Sequence, residues 1–308
     1  MLHFLNRVIW VIALALVSLQ AVGAEELSLV VTPVGSTLQL PAILIKPEGE
    51  GPFPAVVIMH DCSGLGLRFS GAPRRWAGEL VQQGYVVLIP DSFTPRGFAD
   101  GVCLIPGSET VSANGFARAG DAYAALTTLR KLPYVDGKRV GIMGGSHGGW
   151  TTLAAMFVPL DAGNPLAEAK RDGFAAAIAL YPSCAPRYGA WSTSRSGNVG
   201  PVTGFSGVYQ PIAPVLILSA EKDDWTPAEP CRQLAERSRA AGYPVEIKIY
   251  PDAHHAFDSN TPVRYDARRN NNSSSSGRGA TTGGNPAAWE DAKKEVAAFF
   301  ARHLKREP

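Results

Sequence analysis

Apolar positions along this chain follow two rhythms. Continuous runs such as PAVVIMH (residues 54–60), YVVLIPD (85–91), RVGIMG (139–144), FAAAIALYPS (174–183), PVLILSAEKD (214–223) and VEIKIYP (245–251) are short and rich in branched residues. Such runs predict strands buried on both faces. Between them, RRWAGELVQQG (74–84), RAGDAYAALTTLRKL (118–132), WTTLAAMF (150–157), PAEPCRQLAERSRAAG (227–242) and AAWEDAKKEVAAFFARHLK (287–305) place apolar residues at helical spacing. Strand and helix therefore alternate, which predicts an α/β fold with a mainly parallel sheet and helices on both faces. Two earlier segments, LSLVV (27–31) and LQLPAILIK (38–46), are separated by turn residues and offer an antiparallel edge.

Two stretches break the rhythm. The first, MLHFLNRVIWVIALALVSLQAVGA, has a basic residue at Arg7, an apolar core from Val8 to Leu16, and small residues at the −3 and −1 positions of a cleavage site after Ala24. It predicts a secretory signal over residues 1–24, with an uncleaved N-terminal anchor as the alternative; its core is short of the roughly 20 residues that a membrane span needs. Residues 25–308 are then one domain, and the location is periplasmic or extracellular. The second stretch, residues 259–286, includes RRNNNSSSSGRGATTGGNP. With so little to bury it is expected to be a mobile surface loop without a catalytic role.

Charge narrows the partners. Lys and Arg number 29 against 27 Asp and Glu, for a net +2 without a basic stripe. A nucleic-acid partner is not expected, nor is a stable membrane span once the signal is cleaved. The four cysteines, Cys62, Cys103, Cys184 and Cys231, have no zinc-site spacing. In an exported protein they predict disulfides, although spacing leaves all three pairings open.

The candidate chemistry lies in GIMGGSHGGW (141–150), where an apolar strand runs into Gly144, Ser146 and Gly148 and then into a helix. Strand, G-x-S-x-G and helix in that order form the nucleophile elbow of an α/β-hydrolase fold, in which glycines two positions either side let neighbouring chain approach a serine held in a strained turn. A serine needs a base and an orienting acid, which this fold supplies in the order Ser, acid, His on loops after later strands. Asp223 and Asp224 follow one strand; His254 and His255 follow the next. The other histidines precede the acid or lie in terminal segments, and the His pair has no third residue at metal-ligand spacing.

HDCSGL, DSFTPRG, GGSHGG, EKDDWTP and YPDAHHAFD occur in this order over most of the chain and resemble the dienelactone hydrolase family, especially its exported members. The resemblance implies a triad of Ser146, Asp223 and His255, with an oxyanion hole formed by the backbone N–H groups of His147 and Cys62. Asp223 is preferred because the family's acid lies four residues before a proline, here Pro227; Asp224 is left to cap the helix that starts near it. The resemblance also pairs Cys62 with Cys103 and Cys184 with Cys231. There are two departures. The namesake enzymes carry cysteine where this chain has Ser146, and an arginine where it has Ser259.

The expected reaction is hydrolysis of carboxylic esters or lactones, small molecules, through an acyl-enzyme without metal or organic cofactor. Arg96, Trp150 and Trp225 are candidates for the substrate pocket. A secreted serine peptidase, an acyltransferase on the same fold and a non-catalytic binding protein are the alternatives.

Overall fold

The computed structural model describes residues 24–33, 36–67, 69–105, 112–159 and 166–305. Residues 1–23, which hold nearly all of the expected signal, lie outside them. The first half of the described chain contains β1 (Ala24–Val31), β2 (Leu40–Pro47), β3 (Phe53–Met59), α1 (Ala72–Gln82), β4 (Val86–Pro90), α2 (Gly115–Arg130), β5 (Val135–Gly145) and α3 (His147–Met156). The second half contains α4 (Ala167–Arg171), β6 (Ala176–Leu180), β7 (Ser192–Ser194), β8 (Gly204–Ser206), β9 (Val215–Ala220), α5 (Ala228–Ala240), β10 (Val245–Tyr250), β11 (Arg264–Asn270), β12 (Arg278–Thr282) and α6 (Pro286–Leu304).

Eight strands form one sheet in the order β1-β2-β4-β3-β5-β6-β9-β10. The β1–β2 and β2–β4 pairings are antiparallel, and the rest are parallel. The opening pair is therefore the antiparallel edge that the sequence offers. Successive residues of a strand point to opposite faces. Ala55, Val57 and Met59 pack in the core beneath α2, α3 and α5, whereas Val56 and Ile58 pack beneath α1 and α6. Removing the Val, Ile and Met side chains from water stabilises the fold by about 1.5–3 kcal/mol each, which is why the central strands read as unbroken apolar runs. Helix starts follow local chemistry as well. The Asn114 side chain accepts from the N–H groups of Phe116 and Ala117, and Asn285 caps α6 just before Pro286.

Of two disulfides, Cys62–Cys103 joins the loops after β3 and β4, and Cys184–Cys231 ties the loop after β6 to α5. They match the pairing implied by resemblance and suit an oxidising compartment rather than the cytosol. Among the described residues no helix is long and apolar enough to cross a membrane.

The segment expected as a mobile loop has defined structure. Residues 264–282 form an antiparallel hairpin, β11 with β12. Its apolar content is low, and polar anchors hold it instead. The buried Asn271 donates from Nδ2 to the carbonyls of Asp224 and Gly279, and the Trp225 indole donates to the Asn270 carbonyl. Hydrogen-bonded anchors of this kind leave no trace in hydrophobic periodicity.

Candidate active site

The residues that matter follow the carboxyl ends of β3, β5, β6, β9 and β10, where ligands of open parallel sheets bind. At the end of β5 the chain reverses sharply into α3. Ser146 sits there with φ 55° and ψ −115°, a strained conformation for a residue with a Cβ, and its N–H donates to the Leu180 carbonyl at 2.9 Å. Its flanking glycines are required by space. A Cβ on Gly148 would lie 2.0 Å from the Met59 carbonyl oxygen, and one on Gly144 would lie 2.5 Å from the Gly148 backbone.

Asp223 and His255 complete a line with this serine. His255 Nε2 is 2.8 Å from Ser146 Oγ, and its Nδ1 is 2.8 Å from Asp223 Oδ2. All three side chains are buried. Asp223 Oδ1 accepts from the N–H groups of Trp225 and Thr226 at 2.9 and 2.8 Å, which fixes the carboxylate and leaves Oδ2 for the imidazole. A carboxylate can only accept, so Nδ1 carries the proton and Nε2 is free to take one from the serine. The Thr226 hydroxyl is a further neighbour, 2.9 Å from Asp223 Oδ2 and 3.0 Å from His255 Nδ1.

Asp224 turns the other way. Its side chain accepts from Thr281 N and Oγ1 at 2.8 and 2.7 Å, binding β12, and it does not cap α5, whose N-cap is Pro227 without a side-chain cap. The expectation of a helix cap is thus corrected. Asp223 already takes the exposed N–H groups of the turn, and the hairpin lies within reach of its neighbour.

The His255 loop is held from both sides. The Gly283 N–H donates to the His255 carbonyl at 3.0 Å, and the Tyr181 ring meets the imidazole edge-on at 4.9 Å. Tyr181, itself at φ 34°, donates its hydroxyl to the buried Asp258, which also accepts from the Trp76 indole. Burial, and then the neighbouring Asp258 carboxylate, raise the Tyr181 hydroxyl pKa well above its ordinary value, so it stays a donor.

Cys62 and His147 border the same space as Ser146. His147 is the first residue of α3, so its N–H has no intrahelical acceptor. The Cys62 carbonyl accepts from Val102 N at 2.7 Å, and its side chain is tied to Cys103. Behind both lies Arg118, fully buried, with Nη1 2.6 Å from His147 Nδ1 and Nη2 donating to the His60 carbonyl at 2.8 Å.

Two cavities open beside Ser146. One, about 400 Å³, is lined among others by Phe116, His147, Trp150, Arg195, Trp225 and Asn272. The other, about 280 Å³, is lined by Phe69, Tyr181, His255, Arg264, Arg269 and Thr282 among others. Cys62, Cys103, Ser146 and Trp225 border both. Trp150 and Trp225 are therefore walls of the space next to the serine. Arg96 lines neither cavity. It makes a two-pronged ion pair with the buried Asp121 and donates to the Ser92 carbonyl, so its expected place in the pocket is corrected to a bridge between loop and helix. Composition hides the cavity residues of the hairpin, Arg264, Arg269 and Asn272, because that segment reads as a spacer. A larger surface hollow of about 1560 Å³, near Arg130, Lys138 and Lys170, contains none of the predicted site residues.

Comparisons with known proteins identify the family and the fold. The model of the dienelactone hydrolase family matches residues 40–304. The "Putative carboxymethylenebutenolidase" of Yersinia pestis is 28% identical over 244 residues, covering 74% of this chain and 78% of its own. Among solved structures, a dienelactone hydrolase-like promiscuous phosphotriesterase from metagenomic libraries has a TM-score of 0.60 at 18% identity, covering 92% of this chain and 100% of its own. Apo esterase 2 of Thermogutta terrifontis gives a TM-score of 0.60 at 17% identity, covering 92% and 96%.

Proposed function

This chain belongs to the dienelactone hydrolase family and is an ester-cleaving hydrolase, and from that premise we propose that it is an exported serine hydrolase working through Ser146, His255 and Asp223. The observation that carries the proposal is the unbroken line from Asp223 Oδ2 through both imidazole nitrogens to Ser146 Oγ, each link 2.8 Å. The tautomer fixed by Asp223 leaves Nε2 as the base.

Ser146 Oγ attacks the carbonyl carbon of a carboxylic ester or lactone as its proton passes to His255 Nε2. Negative charge gathers on the carbonyl oxygen and is met by the N–H groups of His147 and Cys62, while Asp223 stabilises the imidazolium. As the C–O bond to the alcohol breaks, His255 returns the proton to the leaving oxygen, and the acyl group remains on Ser146. Water, deprotonated by the same imidazole, then attacks the acyl carbon, releasing the carboxylic acid and the serine. None of these steps calls for a metal or organic cofactor. The two cavities that border Ser146, about 400 and 280 Å³, suit small-molecule esters divided between acyl and alcohol parts. Export is supported by the two disulfides together with the signal-like N-terminal sequence.

Ser146→Ala tests the reading. It is expected to keep the thermal midpoint of the wild type, lose labelling by a fluorophosphonate and lose kcat on p-nitrophenyl esters by roughly 10⁴- to 10⁶-fold. Retained turnover in a folded variant free of host esterase would remove Ser146 from the mechanism.

A further inference from the structure

Arg118 is an unusual residue to find inside a hydrolase core. It lies on α2, is fully buried, and among the described residues has no carboxylate at ion-pair distance; Asp121, on the same helix, is occupied by both terminal nitrogens of Arg96. The carboxylates of Asp121, Asp61 and Asp91 act on its charge only from beyond ion-pair distance, and a buried cation without a direct partner is costly unless its donors are well used. Burial pulls the Arg118 pKa down to about 9, which still leaves it charged at neutral pH.

Its two terminal nitrogens are both used, while its buried Nε has no hydrogen-bond partner. Nη1 meets Nδ1 of His147, the residue after the nucleophile, and Nη2 meets the carbonyl of His60, two residues before Cys62. The guanidinium has no acceptor, so His147 Nδ1 must accept and its proton sits on Nε2. His60 is held in the opposite tautomer. Its Nε2 accepts from Ser92 N at 3.1 Å, and its Nδ1 therefore donates to the Asp61 carbonyl at 2.8 Å. That carbonyl belongs to the peptide unit that carries the Cys62 N–H. Both histidines are kept neutral, by burial first and by the Arg118 charge second. The Phe93 ring closes the group, with the guanidinium 4.8 Å from its centroid.

We infer that Arg118 is a positioning residue of the oxyanion site: one guanidinium joins the two backbone segments that supply the donors and keeps a fixed positive charge behind them. The inference rests on the serine-hydrolase reading above, since it concerns the same pair of N–H groups. Such a residue acts on the transition state more than on substrate binding, because the spacing of donors matters most when the oxygen becomes an anion. Lysine cannot replace it. An ammonium on a flexible stem offers a point charge and not a planar fork reaching two acceptors in fixed directions.

The test uses the wild type, Arg118→Lys and His147→Phe, each titrated for active sites with a fluorophosphonate and assayed on a short p-nitrophenyl ester. His147→Phe keeps the backbone N–H and an aromatic ring but removes the acceptor, and it decides the matter if the arginine variant does not fold. Each variant is expected to lose roughly 10- to 100-fold in kcat per titrated site with KM within about threefold, less than the loss of a whole oxyanion donor. Affinity for a boronic acid that forms a tetrahedral adduct is expected to fall by the same factor. The double variant should lose no more than Arg118→Lys alone, because the arginine change already breaks the link that His147→Phe removes. If kcat per site stays within about twofold of wild type, or only the thermal midpoint falls, Arg118 merely packs α2 against α3 and the inference is overturned. A wild type that neither hydrolyses these esters nor labels at Ser146 defeats the serine-hydrolase reading itself, a result distinct from insensitive variants of an active enzyme.

Discussion

Exchanging Asp223 for asparagine separates the two adjacent carboxylates by role. Oδ1 of Asp223 accepts two backbone N–H groups, from Trp225 and Thr226, so the asparagine oxygen is held at that position and the amide nitrogen takes the place of Oδ2, 2.8 Å from His255 Nδ1. A donor now faces the imidazole. Nδ1 must accept, the ring proton moves to Nε2, and Nε2 points that proton at Ser146 Oγ 2.8 Å away, where it cannot take another. The alternative flip sets an NH₂ group against two N–H donors and is worse. A wrong tautomer in an otherwise intact triad costs roughly 10⁴ in kcat, equivalent to about 5 kcal/mol of barrier. Asp224→Asn provides the control. Thr281 N donates to one carboxylate oxygen and Thr281 Oγ1 to the other; an amide keeps the first acceptor and can donate to the hydroxyl at the second, so a loss of about 1 kcal/mol in stability and little change in turnover is expected. The assay is kcat on a short p-nitrophenyl ester together with urea unfolding of each variant. If Asp224→Asn lost the 10⁴ and Asp223→Asn stayed near wild type, the tautomer argument would be refuted and the roles exchanged.

Two further outcomes follow from the same geometry. Cys103→Ser opens a bridge spanning 41 residues, for which loop-closure entropy gives about 4 kcal/mol of stability; because Cys62 is tethered only through that bond on its side-chain end, kcat is expected to fall roughly tenfold as well. Non-reduced peptide mapping of the wild type should recover only the Cys62–Cys103 and Cys184–Cys231 pairs, and crossed pairs or unchanged kcat in the variant would contradict this. Asn271→Ala strips the carbonyls of Asp224 and Gly279 of their donor, at a cost of about 1–3 kcal/mol each at most. Faster proteolysis within residues 264–282 and a raised KM are expected, since Asn270, Asn272 and Ser273 border the larger of the two site cavities; a hairpin as resistant as wild type would show the anchor to be dispensable.

Legibility from sequence tracked the kind of force involved. The sheet could be read because strands covered on both faces must be apolar along their whole length, and β3, β4 and β9 are fully buried except at Phe53. The elbow could be read because Gly144 and Gly148 are demanded by backbone contacts that no other residue permits. The role of Arg96 is hidden for the converse reason. Its partner Asp121 lies 25 residues away on another element, and nothing in the periodicity of DSFTPRG distinguishes an arginine that meets a substrate from one that meets a buried carboxylate. Arg118 was equally hidden, since within α2 it is one more polar position in a helical pattern.

The hairpin carries the least legible part of the candidate site, and its placement ties the lining of both cavities to the proposed base, His255. β11, with the sequence RYDARRN, presents charged residues on both faces, so no amphipathic pattern marks it. Yet Thr282 pairs with His255, Gly283 holds the His255 carbonyl, and Asp224, one residue from the acid, grips Thr281. The same segment gives Arg264, Arg269 and Thr282 to one cavity and Asn270, Asn272 and Ser273 to the other. Arg269 further stacks over Trp225 with its guanidinium 4.6 Å from the indole, while the Trp225 ring lies 4.8 Å from the imidazole. A ligand that shifts the hairpin therefore shifts the frame of His255 as well. Substitutions in a segment that composition would class as a spacer should accordingly change kcat and KM together, whereas changes at Phe116, which lines the larger cavity and packs against Trp150, Phe157 and Tyr188, should act on KM alone.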